Sequence, residues 1–246
     1  MTRHTTRDAP VVVLEQLRFA WQAQADTLLD IAEFSVARRE RVFLRGPSGC
    51  GKTTLLNIIA AVLKPRSGLV EVDGVDLTQL TGAACDRFRA DHIGLVFQQF
   101  NLLPFLSVAE NVQLPCRFSA LRRQRATQHG RSLMEETERL LAQMNIPAAM
   151  MHSRSVMHLS VGQQQRVAVA RAMIGSPALI IADEPTSAFD SDVREAFLAL
   201  LFQEVEAAGS SLLFVSHDAG LSGAFDRIVD LPQMNRASPA MVTGGV

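Results

Sequence analysis

The sequence predicts an α/β protein in which a parallel sheet is covered by helices on both faces and carries a helical insertion. Three observations support this fold class. Short apolar stretches such as ALIIAD and SLLFV alternate with longer helical stretches, a pattern typical of parallel sheets. Apart from one terminal polar residue each, these stretches are apolar, as expected for strands that are buried on both faces. From Ser107 to about Gly175 the pattern stays helical, which indicates an insertion.

The elements follow from the amino terminus. VVVLEQLRFAW and ERVFLR predict strands. Thr53 to Leu63 predicts a helix that ends at KPRSG, because Pro and Gly terminate helices. LVEVDGVDL predicts a hairpin, HIGLVFQ a buried strand, and MEETERLLAQM the clearest amphipathic helix of the insertion. ALIIAD, a helix from Asp192 to Ala208, SLLFVSHD and RIVDL complete the pattern.

We therefore expect one domain at residues 10–235, with a helical subdomain at about 100–175 and flexible tails at 1–9 and 236–246. A chain of 246 residues that is 48% hydrophobic can bury a large core. Its net charge of −1 provides no global basic field for nucleic acid. Three cysteines without a CxxC pair argue against a zinc site or a disulfide framework and favour a reducing cytosol. No stretch approaches bilayer-spanning length, so we expect any membrane part to belong to another chain.

A glycine-rich segment, GPSGCGKTT, lies between a predicted strand and a predicted helix and fits the pattern GxxxxGK[ST]. Its glycines let backbone N–H groups point at phosphates, and the following helix presents its positive end. We expect Lys52 to bind the outer phosphates and Thr53 to offer its hydroxyl to Mg²⁺. The alternative is a glycine-rich turn without a ligand, which the flanking elements disfavour. The predicted nucleotide-binding residues are Gly46, Pro47, Ser48, Gly49, Cys50, Gly51, Lys52, Thr53 and Thr54.

Paired acids, Asp183 and Glu184, follow the buried strand ALIIAD. The carboxyl end of such a strand is where ligands bind in open α/β sheets. We expect Asp183 to hold Mg²⁺ through water and Glu184 to polarise the attacking water. In the alternative interpretation both acids only cap the next helix.

Three further motifs make the prediction specific: LSVGQQQRVAVARA, SHD after SLLFV, and Gln98 at the end of GLVFQ. Together with the two motifs above, they resemble the ATP-binding subunit of ABC transporters, in the order of that family, from about Val11 to Leu231. The resemblance implies a P-loop NTPase fold of the ABC ATPase type, which has a RecA-like parallel-sheet core, an antiparallel β subdomain and an inserted helical subdomain. It also implies ATP hydrolysis with Mg²⁺ by an ATP-dependent homodimer.

The resemblance also implies roles for single residues. Gln98 would contact Mg²⁺ and the catalytic water, and His217 would contact the γ-phosphate, although a histidine after a strand is normally a satisfied core residue. Trp21, the only tryptophan, would stack on adenine; its alternative is an ordinary core or rim aromatic.

The resemblance assigns a role between subunits to the signature LSVGQ. Ser160, Gly162 and Gln163 would close over the γ-phosphate of ATP held by the opposite protomer, and Asp190 would lie in a loop between protomers. Val161 stands where the family most often has glycine, which could slow this closure. Phe189 replaces a more usual leucine, and LPQMNRA lacks the glycine turn that commonly follows the last core strand.

The stretch HIGLVFQQFNLLPFLSVAENVQLP, together with the signature, most resembles the MacB, lipoprotein-release (LolD) and FtsE group. This resemblance implies a bacterial subunit at the cytoplasmic face of the inner membrane. Its partner would be an integral membrane permease with a periplasmic domain, and the work export, lipoprotein release or mechanical work. The ATPase of an ABC importer is the alternative.

Two other function classes fit less well. ABC ATPases that act on nucleic acid usually carry tandem cassettes, zinc modules or long coiled coils, which this sequence lacks. Its basic cluster, LRRQRATQHGR, is followed by acidic residues and is typical of a solvated helical face. No nucleic-acid partner is therefore expected. A small-molecule kinase is disfavoured by the signature and by His217.

An apolar run within QFNLLPFLSVAENV is too dense for an ordinary exposed loop. Either it packs the helical subdomain onto the core, or part of it lines a groove for a short cytoplasmic helix of the membrane subunit. Its members are Phe100, Leu102, Leu103, Phe105 and Leu106.

Overall fold

The computed structural model describes residues 9–22, 24–151, 155–187, 189 and 191–237. Asp190 and most of both predicted tails lie outside the described residues. The structure confirms the predicted fold class, with a parallel sheet, a separate antiparallel sheet and a group of inserted helices.

A five-stranded parallel sheet forms the centre of the molecule, in the spatial order β6-β7-β8-β3-β9. Strand β7 ends at the predicted acid Asp183, with Glu184 directly after it, and β3 ends at Arg45, directly before the glycine-rich segment. Because both strands run parallel to β8, these residues lie at the same carboxyl edge of the sheet. The strands are β3 (Arg41–Arg45), β6 (Ile93–Val96), β7 (Leu179–Asp183), β8 (Ser211–Val215) and β9 (Arg227–Asp230).

A four-stranded antiparallel sheet packs beside it in the order β2-β1-β4-β5. The sequence analysis predicted no strand for β2, although buried and exposed residues alternate along it. This alternation changes phase in the middle of the strand, opposite Gln16, whose left-handed φ of 50° interrupts the pairing of β1 with β2. The strands are β1 (Val12–Phe19), β2 (Leu29–Val36), β4 (Ser67–Val72) and β5 (Val75–Asp76).

Helices cover the sheets and build the insertion. The predicted helix from Thr53 ends at Ile59 rather than Leu63, because Ala61 takes a left-handed φ of 56°. The helix α2 was not predicted from the sequence. The helices are α1 (Lys52–Ile59), α2 (Ala83–His92), α3 (Val108–Phe118), α4 (Ala120–Ala126), α5 (Leu133–Gln143), α6 (Val161–Met173), α7 (Ser191–Ala208) and α8 (Leu231–Met234).

Two apolar cores lie on opposite faces of the parallel sheet. One is shared with α1 and the antiparallel sheet, and the other with α7 and the inserted helices. Alternate residues of β7 and of β8 enter one core or the other, which explains why these two strands are apolar except at Asp183 and Ser211. In the part of the chain that is described, no helix is long and apolar enough to cross a bilayer.

Candidate nucleotide site

The glycine-rich segment forms a compact loop between β3 and α1. Gly49 and Gly51 have φ of 80° and 101°, values that favour glycine. Gly51 is also the N-cap of α1, where a Cβ atom would come within 2.8 Å of Leu29 Cδ2. The loop therefore needs glycine both for its backbone conformation and for its packing.

Lys52 lies at the start of α1, and its side chain folds back over the loop. Its Nζ donates hydrogen bonds to the carbonyl oxygens of Gly46, at 2.7 Å, and Pro47, at 3.0 Å. Lys52 is buried, and three donors on one ammonium leave capacity for a phosphate oxygen. The loop thus holds its only lysine at the positive end of a helix, as an anion site requires.

Thr53 and Asp183 meet across the sheet edge. Thr53 Oγ1 donates a hydrogen bond to Asp183 Oδ2 at 3.1 Å. Burial raises the pKa of the Asp183 carboxyl, and the neighbouring Glu184 raises it further, whereas the hydrogen bond from Thr53 lowers it.

This pair fits Mg²⁺ in a nucleotide complex. The described residues contain no cluster of three or more His, Cys, Asp or Glu able to hold a metal by themselves. One carboxylate and one hydroxyl nevertheless match the usual protein share of a Mg²⁺ site, in which substrate phosphates and waters supply the other ligands.

Glu184 and His217 form the second polar pair of this edge. Glu184 has a left-handed φ of 47°, and its N–H donates to the Val215 carbonyl at 2.9 Å, which fixes the turn after β7 against β8. Its Oε2 lies 3.3 Å from His217 Nδ1. The His217 side chain is 68% exposed, so it is not a core histidine. Helix α7 begins only at Ser191, so the interpretation of the acids as its caps is wrong.

Gln98 lies in an exposed turn two residues beyond β6. Because β6 and β7 are parallel neighbours with Val96 opposite Ala182, the register brings Gln98 to the level of Glu184. Phe100 and Asn101 then take left-handed φ of 56° and 50°. The backbone thus delivers Gln98 to the edge that carries the two polar pairs.

The signature residues form the start of α6. Ser160 is its N-cap, and Ser160 and Gln163 form a reciprocal capping box, with the Ser160 N–H donating to Gln163 Oε1 at 2.9 Å. No hydrogen bond or ion pair between described residues joins these residues to the Lys52 loop. The signature therefore forms a helix N-terminus whose capping contacts lie within the motif itself.

Trp21 is 64% exposed and packs edge-to-face on Phe19, with ring centroids 5.2 Å apart. The interpretation as a core aromatic is wrong. One face of the indole is free to stack on a planar ligand.

A groove of about 550 Å³ lies between α2, β6 and α3. The sequence predicted a groove at the apolar run of residues 100–106, but not one at α2, since α2 itself was not predicted. Its apolar lining includes Phe97, Leu114 and Phe118, and its charged lining is mainly arginine. Leu103 and Phe105 are not among its lining residues, although Phe105 is 75% exposed.

The apolar run at residues 100–106 is bonded to helix α3 and packs in part against the core of the inserted helices. Asn111 on α3 is fully buried and bonds the backbone of Leu103 through both its oxygen, at 2.8 Å, and its nitrogen, at 3.0 Å. Leu102 packs against the core of the inserted helices. The internal interpretation of the run thus holds for its backbone and for Leu102.

Comparison with known proteins adds independent findings. Residues 29–187 match the family model described as ABC transporter. An ABC transporter ATP-binding protein of Mycobacterium tuberculosis is 42% identical over 196 residues, which cover 80% of this chain but only 56% of that protein. The chain thus spans little more than half the length of this relative. YknY, an ABC transporter ATP-binding protein of Bacillus subtilis, is 35% identical, with 89% of this chain and 92% of YknY covered.

Two solved structures extend the comparison. The dimeric ATP-binding cassette MJ0796, in a post-hydrolysis state with ADP and phosphate, has a TM-score of 0.75 and 34% identity, and 89% of this chain and 93% of that chain are covered. The protein cbiO1 of Clostridium perfringens, part of the transporter complex cbiONQ, has a TM-score of 0.73, with 90% of this chain and 84% of that chain covered. Its identity of 24% supports the fold alone.

Proposed function

The chain belongs to the ABC transporter family of ATP-binding proteins, and from this premise we propose that it is the ATP-hydrolysing subunit of a bacterial transporter complex. The observation that carries the proposal is the convergence of three groups at one sheet edge: the Lys52 loop, the Thr53–Asp183 pair and the Glu184–His217 pair. A phosphate-binding loop alone would fit any nucleotide-binding protein.

The proposed chemistry follows from these groups. The loop and Lys52 bind the phosphates. Thr53 and Asp183 would hold Mg²⁺, which when bound would neutralise charge on the phosphate oxygens. Glu184 accepts a proton from the attacking water as a general base. His217, 3.3 Å from that carboxylate, orients it and reaches the γ-phosphate. Gln98 positions the water and would contact Mg²⁺ when the ion is bound.

The active form is a homodimer in which two copies bind two ATP molecules head to tail. Each ATP bridges the Lys52 loop of one copy and the start of α6 in the other, where Ser160, Gly162 and Gln163 offer a positive helix end. The dimeric state of the similar cassette MJ0796 supports this arrangement. Binding energy drives closure, and hydrolysis allows opening.

The membrane partner is an integral permease with a periplasmic domain, and this subunit works at the cytoplasmic face of the inner membrane. The groove at α2 and α3 has the size and the apolar lining for an amphipathic helix of that partner. Its arginines favour an acidic residue on the docked helix. The work done is export, lipoprotein release or mechanical work, and an importer is the second candidate.

Co-purification tests the partner. Phe118, 73% exposed in the groove, is changed to Ser, and Phe105, equally exposed outside the groove, serves as the matched control. We expect Phe118→Ser to keep its basal phosphate release but to lose the permease and the stimulation of ATPase activity by it, whereas Phe105→Ser keeps both. The opposite result would move the docking contact to the Phe105 segment.

Phosphate release by the purified chain tests the reaction itself. We expect ATP hydrolysis that the change Lys52→Ala abolishes, without phosphate transfer to an added acceptor. Transfer to an acceptor would indicate a kinase, and stimulation by nucleic acid rather than by the permease would indicate a nucleic-acid motor. Sequencing the permease that co-purifies decides between exporter and importer.

A further inference from the structure

Arg171 is a buried cation that the proposed chemistry does not use. It lies in the last turn of α6, is 8% exposed and makes no ion pair with any described residue. Burial lowers its pKa to about 10, so it stays charged at neutral pH. Burying a guanidinium without a carboxylate is costly, and such a group is retained only where its hydrogen bonds are needed.

Both hydrogen bonds of Arg171 end on one turn of the backbone. Its Nη2 donates to the Phe100 carbonyl and its Nη1 to the Asn101 carbonyl, each at 2.6 Å. Phe100 and Asn101 are the residues with left-handed φ that follow Gln98. Non-glycine residues pay a steric penalty for this conformation, which must be held by surrounding contacts. The guanidinium of Arg171 stabilises this conformation by bonding two adjacent carbonyl oxygens.

We propose that Arg171 is a positioning residue for hydrolysis, which fixes Gln98 through the Phe100–Asn101 turn and joins that turn to the signature helix. Helix α6 spans about 17 Å from Ser160 to Arg171 at 1.5 Å per residue. One end meets the γ-phosphate of the opposite protomer in the proposed dimer, and the other end holds the turn after Gln98. Arg171 also lines the groove proposed for the permease. The inference rests on the proposed function.

The test is a double-mutant cycle between Arg171→Gln and Gln98→Ala, measured as kcat for ATP. We expect each single change to lower kcat on the order of 10-fold or more, the scale of lost positioning, while the Kd for a fluorescent ATP analogue changes less than about 2-fold. In the double variant we expect no further loss beyond Gln98→Ala, since Arg171 acts through Gln98. Arg171→Lys, which can still reach one carbonyl, should recover part of the rate.

Arg125→Gln is the matched control, because Arg125 is an arginine of the same subdomain with one carbonyl bond, to Ser176 at 3.2 Å. We expect its kcat to equal that of the wild type. Additive losses in the cycle, a parallel loss of nucleotide affinity, or failure of both Arg171 variants to fold would overturn the inference and assign Arg171 a structural role. Normal turnover in Arg171→Gln alongside an impaired Gln98→Ala would overturn it while leaving the proposed function intact. A wild-type chain without ATPase activity would overturn the proposed function itself.

Discussion

Glu184 is held in a conformation that few glutamates adopt. Its left-handed φ of 47° carries the backbone out of β7 and away from the strand direction, and the bond from its N–H to Val215 fixes that turn. Such strain persists at functional sites because the surrounding structure holds it. The result is a carboxylate at the edge of the sheet, facing His217 rather than solvent alone.

Glu184→Gln tests the assignment of the general base. The amide keeps the size and hydrogen bonds of the carboxylate but cannot take a proton, so we expect phosphate release to fall by about 10²-fold or more while ATP binding persists. Glu195→Gln, an exposed residue on α7, is the control and should be unaffected. Undiminished turnover in Glu184→Gln would remove this residue from the catalytic role.

Trp21 allows a direct measurement because it is the only tryptophan in the chain. If its exposed indole stacks on adenine, ATP should alter its fluorescence, and Trp21→Ala should weaken ATP binding by roughly 1–3 kcal/mol, the range for base stacking. Trp21→Tyr, which keeps an aromatic face, should restore most of the affinity. An unchanged emission together with normal affinity in the alanine variant would leave Trp21 as a rim residue that packs on Phe19.

Residues with local signals were predictable, and those defined by long-range contacts were not. The glycine-rich loop is predictable because its pattern, its strand and its helix lie within one stretch of sequence. The 3.3 Å approach of Glu184 to His217 joins residues 33 positions apart, and only the family resemblance suggested that His217 belongs to the site. The hydrogen bonds from Arg171 to the turn after Gln98 have no signal in the sequence, since their acceptors are backbone carbonyl oxygens.

At the scale of elements, periodicity predicted strands and helices where one rule applied along their length. It failed for β2, where the change of phase opposite Gln16 disrupts a period of two. It also failed for α2, whose sequence AACDRFRADH buries only Cys85 and Phe88 and therefore has a weak apolar stripe. Because α2 was not predicted, the groove beside it was not predicted either: Asp86, Arg87 and Ala90 of α2 form one of its walls.

Helix α7 contains a buried carboxylate, that of Glu204, which within the described part of the chain is hydrogen-bonded through only one of its two oxygens. Glu204 is 2% exposed, and its Oε1 has no hydrogen-bond partner among the residues that the structure describes. Its Oε2 is 3.4 Å from Arg139 Nη1, and Arg139 is also bonded to Glu136 at 2.7 Å. Burial raises the pKa of Glu204, Glu136 raises it too, and Arg139 lowers it. The folded protein therefore binds this proton more tightly than the unfolded chain does.

The raised pKa of Glu204 makes the stability of the folded protein depend on pH. The stabilisation of the folded state by protonated Glu204 is fully present below the ordinary glutamate pKa of about 4.3. It is lost as pH rises through the raised pKa of Glu204 in the folded protein. We expect Glu204→Gln, which cannot ionise, to gain stability relative to the wild type as pH rises from acid toward neutral. Urea unfolding at several pH values measures this difference. Glu138→Gln, at an exposed position on α5, should show no such trend, and a pH-independent difference for Glu204→Gln would contradict the expectation.

At the scale of the whole molecule, the two apolar cores support different parts of the proposed site. The parallel sheet carries the phosphate loop, both acids and His217 on one edge, braced by α1 and the antiparallel sheet on one face. The inserted helices carry the signature and pack on the other face. In the proposed dimer a second copy supplies the signature to the first copy's site, so that each chain contributes two half-sites. The sequence indicated these parts separately, but only the family resemblance indicated that they combine in trans.

A charged substitution at the signature tests the arrangement in trans. Aspartate is as good an N-cap as serine, so Ser160→Asp should keep α6 folded while placing a carboxylate against the γ-phosphate of the opposite protomer. We expect it to abolish ATP hydrolysis. Ser132→Asp is the matched control, because Ser132 caps α5 with the same capping box, and it should remain active.

Mixing two inactive variants then separates a site in trans from a site within one chain. Lys52→Ala removes the phosphate contact of one half-site and Ser160→Asp damages the other. In a mixed dimer, one of the two composite sites carries both lesions and the other carries neither. With random pairing at equal concentrations, half of the dimers are mixed, so we expect roughly a quarter of the wild-type sites to be intact. Phosphate release should therefore reappear on mixing and peak near equal proportions of the two variants. If each site were completed within a single chain, no mixture would recover activity, because every chain would carry a lesion in its own site.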